Sequence, residues 1–183
     1  MRQVDGRTKV SRRVFLRGSA TAVPAAAAAA AGMSIGPDAA WAQDAKNLKP
    51  HTMATLVLMA RDIYPHDRLA DVYYVQAVAP YDAKAGQDAA FRKMVEDGVA
   101  AIDAAAQQHH KSPYVAVAWE TDRVALLTGV EHGALFQKMR GDLLVSLYNN
   151  KEIWGKFGYE GASADKGGYI NRGFNDIDWL PEA

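Results

Sequence analysis

Three features of this sequence predict an all-α fold. Apolar residues recur at helical spacing through most of residues 53–154. No alternating apolar and polar run of useful strand length occurs. Prolines and glycines fall where helices would stop. The architecture expected is a compact bundle of about five or six helices, followed by an irregular Gly/aromatic-rich C-terminal arm and preceded by a cleavable signal peptide. The predicted boundaries are 1–42 for the signal, 43–156 for the helical domain and 157–183 for the arm, which packs on the domain, on a partner, or on both.

The signal reading rests on order and spacing. Ser11-Arg12-Arg13-Val14-Phe15-Leu16 places two adjacent arginines before a weakly apolar stretch, and an alanine run from Ala25 to Ala31 follows. Ala40-Trp41-Ala42 offers small residues at the −3 and −1 positions of a signal-peptidase site, which would leave Gln43 as the first mature residue. Thr21, Pro24 and Gly32 make the stretch too weakly hydrophobic for a stable membrane span. The whole resembles a twin-arginine (Tat) signal, with Arg12, Arg13, Phe15 and Leu16 as the targeting residues. That resemblance implies export of an already folded cargo by the Tat translocase, and so a periplasmic location.

The formal charge of the full chain is zero, from 21 basic and 21 acidic residues. The signal holds six of the basic and two of the acidic residues, so the mature part keeps 15 and 19, a net charge of −4. A mildly acidic domain without a basic stripe argues against nucleic acid as a partner.

The helices follow in order. Met53, Leu56, Val57, Ala60, Ile63 and Tyr64 form one helical face, with Thr52 as N-cap and Pro65 as the stop. Leu69, Val72, Tyr73, Gln76 and Ala79 suggest a second helix, capped by Asp67 or Asp71 and stopped near Pro80. Phe91, Met94, Val95, Gly98, Ile102 and Ala105 mark a third, beginning after Gly86 and carrying His109, His110 and Lys111 in its last turn, where cations suit the helix dipole. Ser112-Pro113 breaks it. Tyr114 to Trp119 is apolar and β-branched but too short to demand a sheet. Glu120 to Val130 reads as helical, with Val124 and Leu127 on one face. After Gly133, Phe136, Met139, Leu143 and Leu147 run at helical spacing to Tyr148. Asn149 or Asn150 caps a last short helix reaching Trp154.

From Phe157 onward glycines and aromatics dominate. Glycines supply tight turns, and aromatics bring large contact areas with few rotors. Something must bury Tyr159, Tyr169, Phe174 and Trp179. One reading folds them back on the chain's own helices. The other makes the segment an ordered arm that carries aromatic anchors, with Arg172, Asp176 and Asp178, to a partner.

Catalytic chemistry finds little support. The chain has no cysteine, which excludes disulfides, thiolate metal sites, a Cys nucleophile and covalent c-type haem. His51, His66, His109, His110 and His132 show no H-x-x-x-H or H-E-x-x-H spacing. Adjacent His109 and His110 point about 100° apart on a helix and make poor co-ligands. His66 beside Asp67 suggests either a His/carboxylate pair or a loop capped by Asp67, the latter being the commoner arrangement. Glu96-Asp97 and Asp176/Asp178 read more cheaply as charged faces and turn caps than as acid/base pairs. No G-x-S-x-G, G-x-G-x-x-G or P-loop occurs. No catalytic, cofactor-binding or metal-binding residue is therefore assigned on this chain.

The carboxyl end carries a family resemblance. Trp154-Gly-Lys-Phe-Gly-Tyr-Glu-Gly-Ala-Ser163, then Gly167-Gly168-Tyr169-Ile-Asn-Arg172-Gly173-Phe174, then Asp176-Ile-Asp178-Trp179-Leu180 resemble the gluconate 2-dehydrogenase subunit 3 family. The stretch Leu56 to Tyr74, with Arg61-Asp62-Ile63-Tyr64-Pro65-His66-Asp67, is similar to that family's first block. The likeness spans nearly all of residues 50–180. One departure is Ala162, where the family form G-Y-x-G-P-S has proline. The resemblance implies a non-catalytic small subunit without catalytic residues or cofactor of its own. Its partners would be a large FAD-dependent dehydrogenase subunit of the glucose–methanol–choline type, acting on a sugar or polyol, and a multihaem cytochrome c subunit that holds the haem c. The small subunit would stabilise the flavoprotein and supply the Tat signal for its folded export, and the assembled complex would be associated with the inner membrane. Partner-binding residues on this reading are Tyr159, Tyr169, Arg172, Phe174, Asp176, Asp178 and Trp179. Two alternatives stand beside it. One is a stand-alone periplasmic binding module with a concave pocket lined by the tail aromatics; the other is an independent hydrolase or metalloenzyme.

Overall fold

The computed structural model describes residues 45–171 and residue 174. The targeting residues Arg12, Arg13, Phe15 and Leu16, the cleavage residues Ala40 and Ala42, and Arg172, Asp176, Asp178 and Trp179 of the arm lie outside the described residues. Among the described residues there are six α-helices and no strand. They are α1 (Pro50–Ile63), α2 (Asp71–Gln87), α3 (Ala89–His110), α4 (Glu120–Gly129), α5 (Ala134–Ser146) and α6 (Lys151–Trp154).

The first helix sits at the centre of the bundle and packs against α2, α3, α4 and α5. Its apolar face is the one the spacing predicts: Met53, Leu56, Val57 and Ala60 are buried. Its start differs from expectation. Pro50 opens the helix after Lys49, and no side chain of its own caps it. Thr52 lies inside the helix, buried, and its hydroxyl donates to Glu96 of α3 at 2.9 Å. A carboxylate from a neighbouring helix thus serves the positive end of α1.

The second helix corrects the sequence reading in three respects. It runs through Pro80 to Gln87. A proline inside a helix costs about 3 kcal/mol through its missing N–H and its ring clash. Here Tyr74, Ala77, Val78, Tyr81 and Ala85 bury one continuous face along the helix, while Pro80 points outward. Burying such side chains contributes roughly 1.5–3 kcal/mol for each large one, enough to carry the helix past the proline. The buried face is also rotated from the one expected: Val72, Gln76 and Ala79 are exposed, and Tyr73 is half-buried. Ala70 precedes the helix without a capping side chain, so neither Asp67 nor Asp71 caps it. Asp71 instead pairs with Arg61.

For α3 the expected face is buried at Phe91, Val95 and Ile102 and half-buried at Met94, Gly98 and Ala105. Val99 and Ala106, which the sequence reading did not name, complete the buried side. Asp88 caps it by accepting the Phe91 N–H at 2.9 Å, and Lys111 ends it in the left-handed conformation at φ 58°. Gly98 lets α5 approach closely, since a Cβ there would lie 2.5 Å from Leu135 Cβ. Residues Tyr114–Ala116 form a single 3-10 turn.

The fourth helix buries Leu126 and Leu127, whereas Val124 is largely exposed. The fifth buries Leu135, Met139 and Leu143, with Leu147 just beyond its end. Asn150 caps α6 by accepting the Glu152 N–H at 3.0 Å, and Ile153 is fully buried. A buried ion pair crosses the bundle. Asp62 of α1 accepts from Arg123 Nε at 2.7 Å and from the Tyr114 hydroxyl at 2.6 Å, and its other oxygen accepts from the second guanidinium nitrogen at 2.9 Å. Both oxygens of this carboxylate are thereby engaged, by three hydrogen bonds in all.

Candidate functional site

The arm starts from a root that the bundle holds firmly. The Trp154 indole N–H donates to the Tyr148 carbonyl at 2.8 Å. Residues Gly155–Phe157 add a 3-10 turn, and Gly158 reverses the chain at φ 75°. Phe157 then packs edge-on against His66, with ring centroids 4.8 Å apart, and lies 6.0 Å from the Tyr148 ring. His66 Nε2 is 2.7 Å from the Tyr148 hydroxyl. Tyr148 also meets Tyr64 edge-to-face at 5.7 Å, and the Tyr64 hydroxyl donates to the Arg140 carbonyl at 2.9 Å. The loop after α1, the end of α5 and the first turn of the arm therefore share one aromatic cluster.

Burial governs the titration of this cluster. It lowers the His66 pKa, because the imidazolium loses water without gaining a carboxylate. Burial also raises that of Tyr148, helped by Tyr64. The hydrogen-bond partner of His66 is thus not the adjacent Asp67 but a tyrosine 82 residues later. No sequence motif joins those two positions.

Beyond its root the arm turns on glycines. Tyr159 N–H donates to the Trp154 carbonyl at 2.9 Å, and the two rings meet at 5.1 Å. Gly161, at φ 93°, lies beneath the Trp154 ring, where a Cβ would come within 3.4 Å of it. Gly168 N–H closes a turn onto the Ser163 carbonyl at 2.8 Å, and Lys166 Nζ donates to the Glu160 carbonyl at 2.6 Å.

The described aromatics expected to bind a partner divide in two. Tyr159 folds partly back on the bundle through Trp154, as Phe157 beside it does through His66, and Tyr159 is still 47% exposed. Tyr169 and Phe174 are 56% and 79% exposed, and Ile170 between them is 82% exposed. Neither Tyr169 nor Phe174 has a ring partner among the described residues. The structure does not bring Tyr159 into ring contact with either of them.

Two grooves between helices give no role to these aromatics. One of about 440 Å³ is lined by Tyr64, Leu127, Gln137 and Arg140. Another of about 510 Å³ is lined by Met59, Met94, Val130, Leu135 and Phe136. Among the described residues no cluster of three or more His, Asp or Glu side chains is placed to hold a metal ion. No described helix is long and apolar enough to cross a membrane.

Compared with known proteins, the chain matches no family model, no curated protein and no solved structure.

Proposed function

We propose that this chain is the non-catalytic small subunit of a periplasmic, FAD-dependent sugar or polyol dehydrogenase, binding the large flavoprotein and carrying it, folded, through the Tat pathway. One observation carries the docking part of this reading. Tyr169, Ile170 and Phe174 stand exposed on an arm whose root is fastened through Trp154, Phe157 and Tyr148. Large apolar side chains held in water incur a cost that a partner's surface would remove. The twin-arginine pattern at Arg12 and Arg13 and the Gly/aromatic blocks from Trp154 to Leu180 supply the class of partner.

On this reading FAD and haem c belong to the large subunit and to a multihaem cytochrome, and this chain braces the complex at the inner membrane. Hydride removal from the sugar or polyol is the work of the flavin on the partner. The task of this chain is positional: it presents the arm, and its export signal serves both proteins.

Export tests the carrier role. Arg12→Lys with Arg13→Lys should strand the dehydrogenase in the cytoplasm as an active, FAD-loaded enzyme. Normal periplasmic dehydrogenase with that double substitution would contradict the role.

A further inference from the structure

Residues 46–52 are held by three carboxylates that belong to other helices. Asp82 of α2 accepts the backbone N–H groups of Lys46 at 3.2 Å, Asn47 at 2.9 Å and Leu48 at 2.8 Å. Asn47 answers with its own amide, which donates to the Asp82 carbonyl at 3.0 Å. Its side chain also occupies the space left by Gly86, where a Cβ would lie 2.6 Å from Asn47 Oδ1. Glu96 of α3 accepts the Lys49 N–H at 3.3 Å and the Thr52 hydroxyl at 2.9 Å. Asp103, farther along α3, holds the His51 imidazole and accepts the Tyr114 N–H at 2.9 Å. Leu48 is buried in the midst of these bonds.

Residues 45–49 precede the first described helix and have no ladder to satisfy their amides. A loop in that position is commonly the weakest part of a domain and the first to be nicked. Here three successive amides converge on one carboxylate, and bonds to an ionised acceptor are about twice as strong as neutral ones. A protease must draw its substrate out in extended form, so cutting the Lys46–Asn47 bond requires all three amides to leave Asp82 together.

We propose that residues 46–52 are a stop for proteolytic processing from the N-terminal side, with Asp82 setting the innermost bond that a processing enzyme can reach while the bundle stays closed. The use of such a stop rests on the leader reading: cleavage after Ala42 would leave a short lead of residues 43–45 before it. The stop itself is a property of the closed bundle and is tested without reference to export.

Trypsin is the probe, acting on the full native chain. Lys46 is the first basic residue after Arg17, and Lys49 is followed by Pro50, so a product beginning at Asn47 has a unique mass. The wild-type chain should yield that product slowly, and Asp82→Ala should yield it at least about tenfold faster. Gly86→Ala should act in the same direction by displacing Asn47 while leaving the carboxylate in place. Asp97→Asn should match wild type, since the hydrogen bond of that carboxylate is to Lys93 on its own helix. If Asp82→Ala loses its helical circular dichroism, Gly86→Ala decides. A wild-type chain cut after Lys46 as fast as the folded variants would overturn the proposal, as would variants as resistant as wild type. The leader reading fails separately, if the exported chain does not begin at Gln43.

Discussion

His66 Nε2 and the Tyr148 hydroxyl lie 2.7 Å apart, and that contact fastens the loop after α1 to the root of the arm. Phe157 closes over the same pair. Tyr148→Phe would keep the ring packing and delete the hydrogen bond. The expected cost is about 1 kcal/mol of stability. Hydrogen exchange should show faster opening of residues 155–161 with little change in α3. Unchanged protection in that segment would detach the arm's order from this contact.

The Asp62–Arg123 pair calls for larger numbers. Arg123→Ala would strand a carboxylate whose side chain is 1% exposed. Removing one partner of a buried pair costs about 3–5 kcal/mol. Tyr114→Phe removes only the 2.6 Å bond to the same carboxylate and should cost about 1–3 kcal/mol. Denaturant unfolding of both single variants and the double variant would measure their coupling, and the effects should be non-additive because Arg123 and Tyr114 donate to the same carboxylate.

Two glycines should respond with opposite signs. Gly98→Ala would drive a methyl into Leu135 and is expected to destabilise by about 1–3 kcal/mol. Gly141 lies within α5 with open space where a Cβ would stand, so Gly141→Ala should stabilise by about 0.5–1 kcal/mol. Thermal melts of the two variants would separate a close helix approach from a mere helix weakness.

Stability should also depend on pH at the start of α1. The hydrogen bond to Asp103 raises the His51 pKa, against the opposing pull of burial, and the charges of Asp103 and Glu96 add to the rise. A group whose folded pKa is raised contributes fully below its unfolded value of 6.5. That contribution fades as pH rises through the folded value. Asp82 behaves in the opposite sense. Burial alone would raise its pKa, but the amides of Leu48, Asn47 and Lys46 outweigh that and hold it below 3.8. Its contribution is complete above that value and is lost as pH falls through the lower folded one. Melting temperature followed across both ranges should show a slope near neutrality that His51→Asn abolishes. It should also show an acid limb that Asp82→Asn abolishes.

Much of the bundle was legible because helical spacing reports burial directly. The faces of α1 and α3 follow from Met53, Leu56, Phe91, Val95 and Ile102. Pro80 misled because a proline's cost is local, whereas the burial of Tyr74, Val78 and Tyr81 that outweighs it is spread along the helix and depends on packing partners. Thr52 misled for a similar reason: the group serving the start of α1 is Glu96, on another helix. Composition marks Tyr169 and Phe174 as aromatics in need of burial but leaves open whether the bundle or a partner supplies it; in the structure both are exposed. The aromatic cluster at the root of the arm was not legible, because His66 and Tyr148 are neighbours only in the folded chain.

Docking of the arm is tested most directly by copurification. The tagged chain, expressed with its signal in the cells that make it, should recover an FAD-bearing partner with dye-linked dehydrogenase activity on a sugar or polyol. Tyr169→Ala with Phe174→Ala should cut that recovery by about tenfold or more, because both side chains stand free of the bundle and should not disturb its folding. Full recovery by the double variant, or a tagged chain that brings down no flavoprotein, would contradict the proposed role.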